Sequence, residues 1–295
     1  MKILSMMKQK GIFRKIISDG WKSYEMKIPT IILFIILMMT IFSPILFQND
    51  PVKINIKDKF LPPFFMETGS LKYIFGTDQL GRDLFVRSLV GLKNAFIIAF
   101  LSTVGMFLLG CLIGIISGYY GRFTDTVLMR ITDIQMSIPV IILAITILGI
   151  SRPNAFLIIV VLVLAGWPVY SRVSRSAALA EKEKEYVRAA KILGASNPRI
   201  LFFHIAPVIL PPIAFVSILD IARMMIFEAI FGFIGIGVQP PTPTFGTIIS
   251  SGSQYLINYW WITVVPGFLL VLTLTCLNLI GGVLERSRNK ILAGN

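Results

Sequence analysis

Six apolar runs recur along the chain, at residues 28–47, 95–118, 127–150, 155–170, 205–234 and 260–284. A bilayer core of about 30 Å takes about 20 helical residues, so runs of this size predict membrane-spanning helices. Buried helices of a large soluble core are usually shorter and alternate with a polar face, which these runs lack. The pattern therefore predicts an all-α integral membrane protein with six transmembrane helices. Polar sequence is left at 1–27, 48–94, 119–126, 171–204 and 285–295. The division expected from this is an N-terminal part, 1–94, and a five-helix core, 95–295, with a polar loop at 174–204 inside it.

Composition agrees with that class: 55% of the 295 residues are hydrophobic, 15% are charged and the mean hydropathy is +0.79, well beyond an ordinary soluble domain. Charge then orients the chain. With the N-terminus inside, the four inward pieces carry 18 Lys and Arg against 8 in the outer loops, so the positive-inside rule puts both termini in the cytoplasm. The first outer loop, 48–94, blunts the asymmetry with seven basic residues, partly balanced by five acids. A basic segment before an apolar run also describes a signal peptide. The run at 28–47 is long for that purpose, and Phe47-Gln48-Asn49-Asp50 offers no small-residue cleavage site. The net charge of +13 is expected to serve topology and contact with anionic membrane lipid, whereas nucleic acid is excluded because the basic residues form no stripe and no stacking module is present.

Catalytic and metal chemistry find little to work with. Cys111 and Cys276 both fall inside apolar runs and His204 is the single histidine, so neither a disulfide framework nor a transition-metal site is expected. The chain has no G-x-x-x-x-G-K-[ST] loop and no Gly-Lys dipeptide. Any nucleotide must then be bound by a separate subunit. No nucleophile elbow or zinc-protease helix occurs either, and an enzyme is not expected.

The loop between the fourth and fifth runs is the informative polar segment. Ala, Leu, Glu and Lys content predicts a helix over 179–193, with Glu181 and Lys184, and Glu185 and Arg188, placed to pair at i,i+3. Tyr186, Ala189, Ala190 and Leu193 form a narrow apolar stripe, and the alanines allow a partner to approach closely. Gly194 is suited to end the helix in a left-handed conformation. Asn197 and Pro198 then supply a cap and a first-turn proline for a helix leading through Pro207 into the fifth run. On periodicity alone, a solvated amphipathic loop and a docking helix describe this segment equally well.

Charges inside the runs form a second candidate set, because burying an ion in lipid costs at least about 2.5 kcal/mol. Arg130 with Asp133 is expected to be a neutralising i,i+3 pair within the bundle. Asp220 with Arg223, and Glu228 beyond them, are balanced between that role and a place along a translocation path. Gly110, Gly114 and Gly118 recur every fourth residue and predict close helix packing, against another span or another subunit. Ser137 and Pro139 predict a kink in the third span. Pro240, Pro241 and Pro243 predict a stiff outer loop, either part of a gate or receptor contact or a plain connection.

Three stretches resemble one family. Arg188-Ala189-Ala190, three residues, Gly194, nine residues and His204-Ile205-Ala206-Pro207 are similar to the E-A-A-x3-G-x9-I-x-L-P loop of ABC importer permeases. Arg188 stands at the Glu position, and His204 and Ala206 replace Ile and Leu, as in the C-type permeases of the peptide and nickel importer branch. Gly76-Thr77-Asp78-Gln79-Leu80-Gly81-Arg82-Asp83 resembles that branch's G-T-D-x-x-G-R-D, and 233–243 with Phe245-Gly246 resembles its segment after the fifth span. The resemblance implies a type I ABC importer permease fold with a cytoplasmic coupling helix. It further implies docking on an ATPase through Tyr186, Arg188, Ala189, Ala190, Gly194 and Ala195. The implied partners are a second homologous permease, two ATP-binding subunits that hold the ATP and Mg, and an extracytoplasmic substrate-binding protein, in a bacterial or archaeal plasma membrane. The cargo is expected to be a di- or oligopeptide, with nickel or a metal chelate as the alternative. An ion-coupled secondary transporter is a further rival, but the two halves of the chain show no convincing repeat.

Overall fold

The computed structural model describes residues 15–47 and 49–292, and helices carry most of them. Residues 1–14 of the expected N-terminal basic segment, Gln48 and 293–295 lie outside the described residues. In chain order come α1 (Tyr24–Leu46), α2 (Leu84–Tyr120), α3 (Arg122–Ser137), α4 (Val140–Ile150) and α5 (Ala155–Lys182). They are followed by α6 (Glu185–Ile192), α7 (Asn197–Ile200), α8 (Ala206–Phe233), α9 (Phe245–Ser253) and α10 (Trp261–Leu292). Among the described residues, five helices are long and apolar enough to cross a membrane, and α3 with α4 makes a sixth crossing only if the bent pair is one span.

The bend expected at Ser137 and Pro139 lies between α3 and α4 and is sharper than a kink: their axes differ by 82°, so the third apolar run is divided into two helices. Pro139 forces its predecessor out of the helical region, and Ile138 is extended at φ −91°, ψ 115°. Other helices are longer than their apolar runs. α2 begins at Leu84, eleven residues before the expected start, because the Asp83 side chain accepts hydrogen bonds from the Phe85 and Val86 backbone amides at 2.9 and 3.1 Å. The expected boundary at 94/95 thus falls inside a helix. α5 likewise continues to Lys182, well past the end of its apolar run.

The α2–α5 pair is the most extensive helix contact of the bundle, and the glycine stride on α2 faces α5. A Cβ on Gly114 would lie 2.2 Å from the Ser171 carbonyl oxygen, and one on Gly110 would lie 2.3 Å from that of Trp167. Only a hydrogen fits in either place. The expected close packing is therefore against another span of the same chain. α8 lies against α2, α5, α9 and α10, while α1 packs on α10 and α2. The shared core includes Leu92, Ile98, Met106, Ile158, Leu162 and Phe231, all nearly or completely buried.

At one end of the bundle the 49–83 loop is folded, although its sequence reads as irregular. Asp78, 2% exposed, pairs with Arg82 at 2.7 Å and with Arg87 at 3.4 Å, and Arg87 donates to the Pro51 carbonyl at 2.7 Å. Gly76 and Gly81 hold φ of +81° and +71°, which lets the chain turn twice around that carboxylate. The Trp261 indole donates to the Thr77 carbonyl at 3.3 Å, and the Phe60 ring stacks on Tyr259 at 4.0 Å. Asn94 donates to the Pro243 carbonyl at 2.9 Å, which ties down the proline-rich turn. The G-T-D-x-x-G-R-D stretch is therefore a clasp between the loop and the heads of α2 and α10.

Candidate functional site

The opposite end is built by α5, α6 and α7. The expected single helix over 179–193 is broken: α5 stops at Lys182, and α6 starts at Glu185 after the Lys184 backbone turns extended. Glu181 is 6% exposed and explains the break. Its carboxylate takes the Tyr186 hydroxyl at 2.7 Å and the Lys184 ammonium at 2.7 Å, so the corner folds around a buried acceptor. Burial first, and then the Glu181 bond, raise the Tyr186 phenol above its usual pKa, which keeps it a donor. The expected Glu181–Lys184 pair thus exists. Arg188 instead pairs with Glu183 at 3.0 Å, not with Glu185.

α6 ends in a Schellman motif. The Ala195 amide donates to the Ala190 carbonyl at 3.0 Å and the Gly194 amide to the Lys191 carbonyl at 3.1 Å, with Gly194 at φ +81°. The next helix opens one residue earlier than expected, with Ser196 in the cap position and Asn197 and Pro198 in its first turn. A wider turn, Leu201–Ile205, then joins α7 to α8. The Asn197 side chain accepts from the Tyr119 hydroxyl at 2.9 Å, linking this corner to the foot of α2.

The face of α6 differs from the stripe read from the sequence. Val187, 4% exposed, is the residue that anchors α6 to the bundle. Tyr186, Ala190 and Ala195 are half-buried, whereas Arg188, Ala189 and Gly194 are exposed. Ile192 and Leu193 are both 86% exposed, an apolar pair standing off the bundle on a rigid turn. Two large apolar residues directly before a helix-ending glycine were visible in the sequence, but only the fold shows that Ile192 is turned away from the core.

The charged set within the spans divides. Asp220 bridges Arg223 at 2.5 Å and accepts a short bond from the Tyr170 hydroxyl of α5. The Arg223 side chain is 46% exposed and that of Asp220 is 13% exposed. The pair thus presents a cation outward from an anchored carboxylate, and Tyr170 was not foreseen as its anchor. Glu228 does not join them. It is completely buried, and neither carboxylate oxygen has a hydrogen-bond partner among the described residues. Arg130 and Asp133 do not pair, contrary to expectation: Asp133 takes Arg172 of α5 at 2.7 Å, and Asp125 takes a two-pronged bond from Arg175 at 2.5 and 2.6 Å. These contacts strap the polar side of α3 to α5.

Residues 110–290 match the model of the family described as binding-protein-dependent transport system inner membrane component. The chain is 35% identical over 251 residues to the probable D,D-dipeptide transport system permease protein DdpC of Escherichia coli K12, covering 85% of this chain and 82% of that one. It is 31% identical to the di/tripeptide transport system permease protein DppC of Pseudomonas aeruginosa, over 84% and 82% of the two chains. The oligopeptide transport system permease protein OppC of Bacillus subtilis is 34% identical, over 85% and 80%. Among solved structures, an inward-facing form of the MetNI methionine ABC transporter superposes with a TM-score of 0.54 at 21% identity, covering 70% of this chain and 96% of that one. A second crystal form of the same transporter gives a TM-score of 0.52 at 22% identity, over 67% and 94%. These structures bear on the fold alone.

Proposed function

The chain belongs to the family of binding-protein-dependent transport system inner membrane components, and on that premise we propose that it forms half of the translocation path of an ATP-driven importer of di- or oligopeptides. The observation that carries the reading is α6. It is a short helix tied between two spans, fixed to the bundle by Val187 and the Tyr186–Glu181 bond, with Ile192 and Leu193 exposed at its end. A separate ATPase that grips this helix would tilt α5 and α8 together, which is how rigid-body rocking between two states can be driven. Arg188, Ala189 and Gly194 are exposed beside it and complete the docking face with Tyr186, Ala190 and Ala195.

In this reading the partner set is a second, related permease, two ATP-binding subunits and an extracytoplasmic binding protein. Both termini and α6 face the cytoplasm of a bacterial or archaeal cell, as the distribution of Lys and Arg favours. Peptide is favoured over nickel or a metal chelate because the three relatives described above are all named for peptides. Arg223 and Asp220 suit such a cargo, since a zwitterionic peptide meets both signs of charge at one exposed point. Glu228, sealed from the surface in this state, belongs to the path only if the spans part around it.

The test is reconstitution of the complex in proteoliposomes with its binding protein, followed by ATP-dependent uptake of labelled di- and tripeptides and of labelled nickel. Peptide uptake saturable by unlabelled peptide supports the proposal. Uptake of nickel alone, or uptake by this chain without ATPase subunits, overturns it.

A further inference from the structure

We propose that the cleft between the foot of α2 and helix α6 is a binding site for the phosphate of an anionic phospholipid. The inference rests on the chain spanning a membrane and not on the identity of its cargo. The cleft has a volume of about 460 Å3, within the usual size of small-molecule sites, roughly 300–1,000 Å3. Three cations line it, Lys182, Arg188 and Lys191, against the single carboxylate of Glu183.

That carboxylate is spent on Arg188, at 3.0 Å. Lys182 donates to the Gly118 carbonyl at 2.8 Å, a neutral acceptor, and the carboxylate whose field it shares, Asp125, is bonded through both oxygens to Arg175. Lys191 has no ion pair among the described residues. Two ammonium groups therefore line one concave space beside the paired Arg188 and Glu183, which is a site for a phosphate mono- or diester.

Two further features choose a lipid over a soluble phosphate. Tyr119 and Tyr120 line the same cleft, with rings 5.3 Å apart and at right angles, and tyrosines of this kind concentrate at the headgroup level of a bilayer. Phe123 then stands three residues beyond Tyr120, and with Val127, Ile131 and Ile134 it makes an apolar stripe on α3 whose members are 40 to 81% exposed. The straps from Asp125 and Asp133 to α5 hold the polar side of α3 inward, so the stripe is left for acyl chains. The tyrosines thus line the cationic cleft itself, and the apolar track begins three residues beyond them, which suits a headgroup in the cleft and a tail along α3. A lipid seated there would brace α6 against α2.

The test uses the assembled transporter in nanodiscs of phosphatidylcholine containing a photoactivatable phosphatidylglycerol, with adducts mapped by peptide mass spectrometry. Adducts are expected in the peptides spanning 119–127 and 182–191, falling about fivefold for each of Lys182→Gln and Lys191→Gln, as loss of about 1 kcal/mol per cation implies. Lys22→Gln, a change at an exposed lysine elsewhere, should leave them unchanged. Lys191 is exposed, with no ion pair among the described residues, so its variant tests the site without threatening the fold. Equal labelling in Lys191→Gln overturns the proposal. So does loss of labelling on adding millimolar inorganic phosphate, which assigns the cleft to a soluble anion, and so does labelling that emerges only after the ATPase subunits are stripped away, which assigns it to the subunit joint.

Discussion

At the end of the bundle carrying Gly76 to Asp83, three segments far apart in sequence are locked by buried polar contacts: Asp78 with Arg82 and Arg87, Trp261 with Thr77, and Asn94 with Pro243. At the end carrying Gly194, α6 is held by one buried valine and one phenol, its ion pairs lie largely in the open, and its last two apolar residues are 86% exposed. Buried charge that loses its partner is costly, whereas exposed pairs contribute little. The two ends therefore differ in what a substitution does. One end should answer with stability, the other, under the proposed docking of α6, with communication.

The sharpest way to break the contrast is Asp78→Ala, which strands Arg87, 5% exposed, and Arg82 without their counter-ion. The expected cost is about 3–5 kcal/mol, read as a lowered thermal midpoint and reduced recovery of purified protein. An unchanged midpoint would mean that the clasp is not what holds this end. Gly194→Pro comes next. The change locks φ near about −65° where the chain holds +81° and removes the amide that donates to the Lys191 carbonyl, so the end of α6 must rearrange, at a local cost of about 2–3 kcal/mol. Peptide uptake should be lost while ATP hydrolysis persists, and full uptake would remove α6 from the mechanism.

Smaller effects sharpen the same comparison. Tyr186→Phe removes one donor from Glu181 while Lys184 remains at 2.7 Å, a loss of about 1 kcal/mol. It should shift the thermal midpoint slightly and loosen α6 in hydrogen exchange. Paired Ile192→Asp and Leu193→Asp changes should leave the midpoint where it is, because both side chains are 86% exposed, yet weaken co-purification of the ATPase subunits. Arg188→Ala, which breaks a pair with both side chains 65% exposed, should cost no more than about 1 kcal/mol. A larger drop would show that the free end is braced more firmly than its contacts indicate.

Local chemistry made much of this legible in advance. The spans follow from apolar run length, Gly194 ends its helix as its missing side chain suggests, and the stride of Gly110, Gly114 and Gly118 declares a tight contact. What escaped depends on partners distant in sequence. Asp133 could have paired with Arg130 one turn away, but α5 brings Arg172 to it. The head of α2 was hidden by Arg87, Lys93 and Asn94, polar residues read as loop, though Asp83 before an apolar stretch is a cap that could have been recognised. α9 escaped because its serines and glycines are weak helix formers. Its Thr244–Thr247 capping box was the available sign. Tyr170 became visible as the anchor of Asp220 only when α5 and α8 were placed side by side.

The glycine stride also sets which parts of the molecule can slide. With carbonyls of α5 where side chains of α2 would otherwise begin, the two helices form a single beam, and neither can turn about its axis without collision. Bending is left to the joints at the ends of that beam: Gly121, with φ +64°, between α2 and α3, and residues 183–184 between α5 and α6. A push delivered at α6 is then either absorbed at the second joint or carried along the whole beam. The Tyr186–Glu181 bond spans that joint and would act as its splint under the proposed docking of α6.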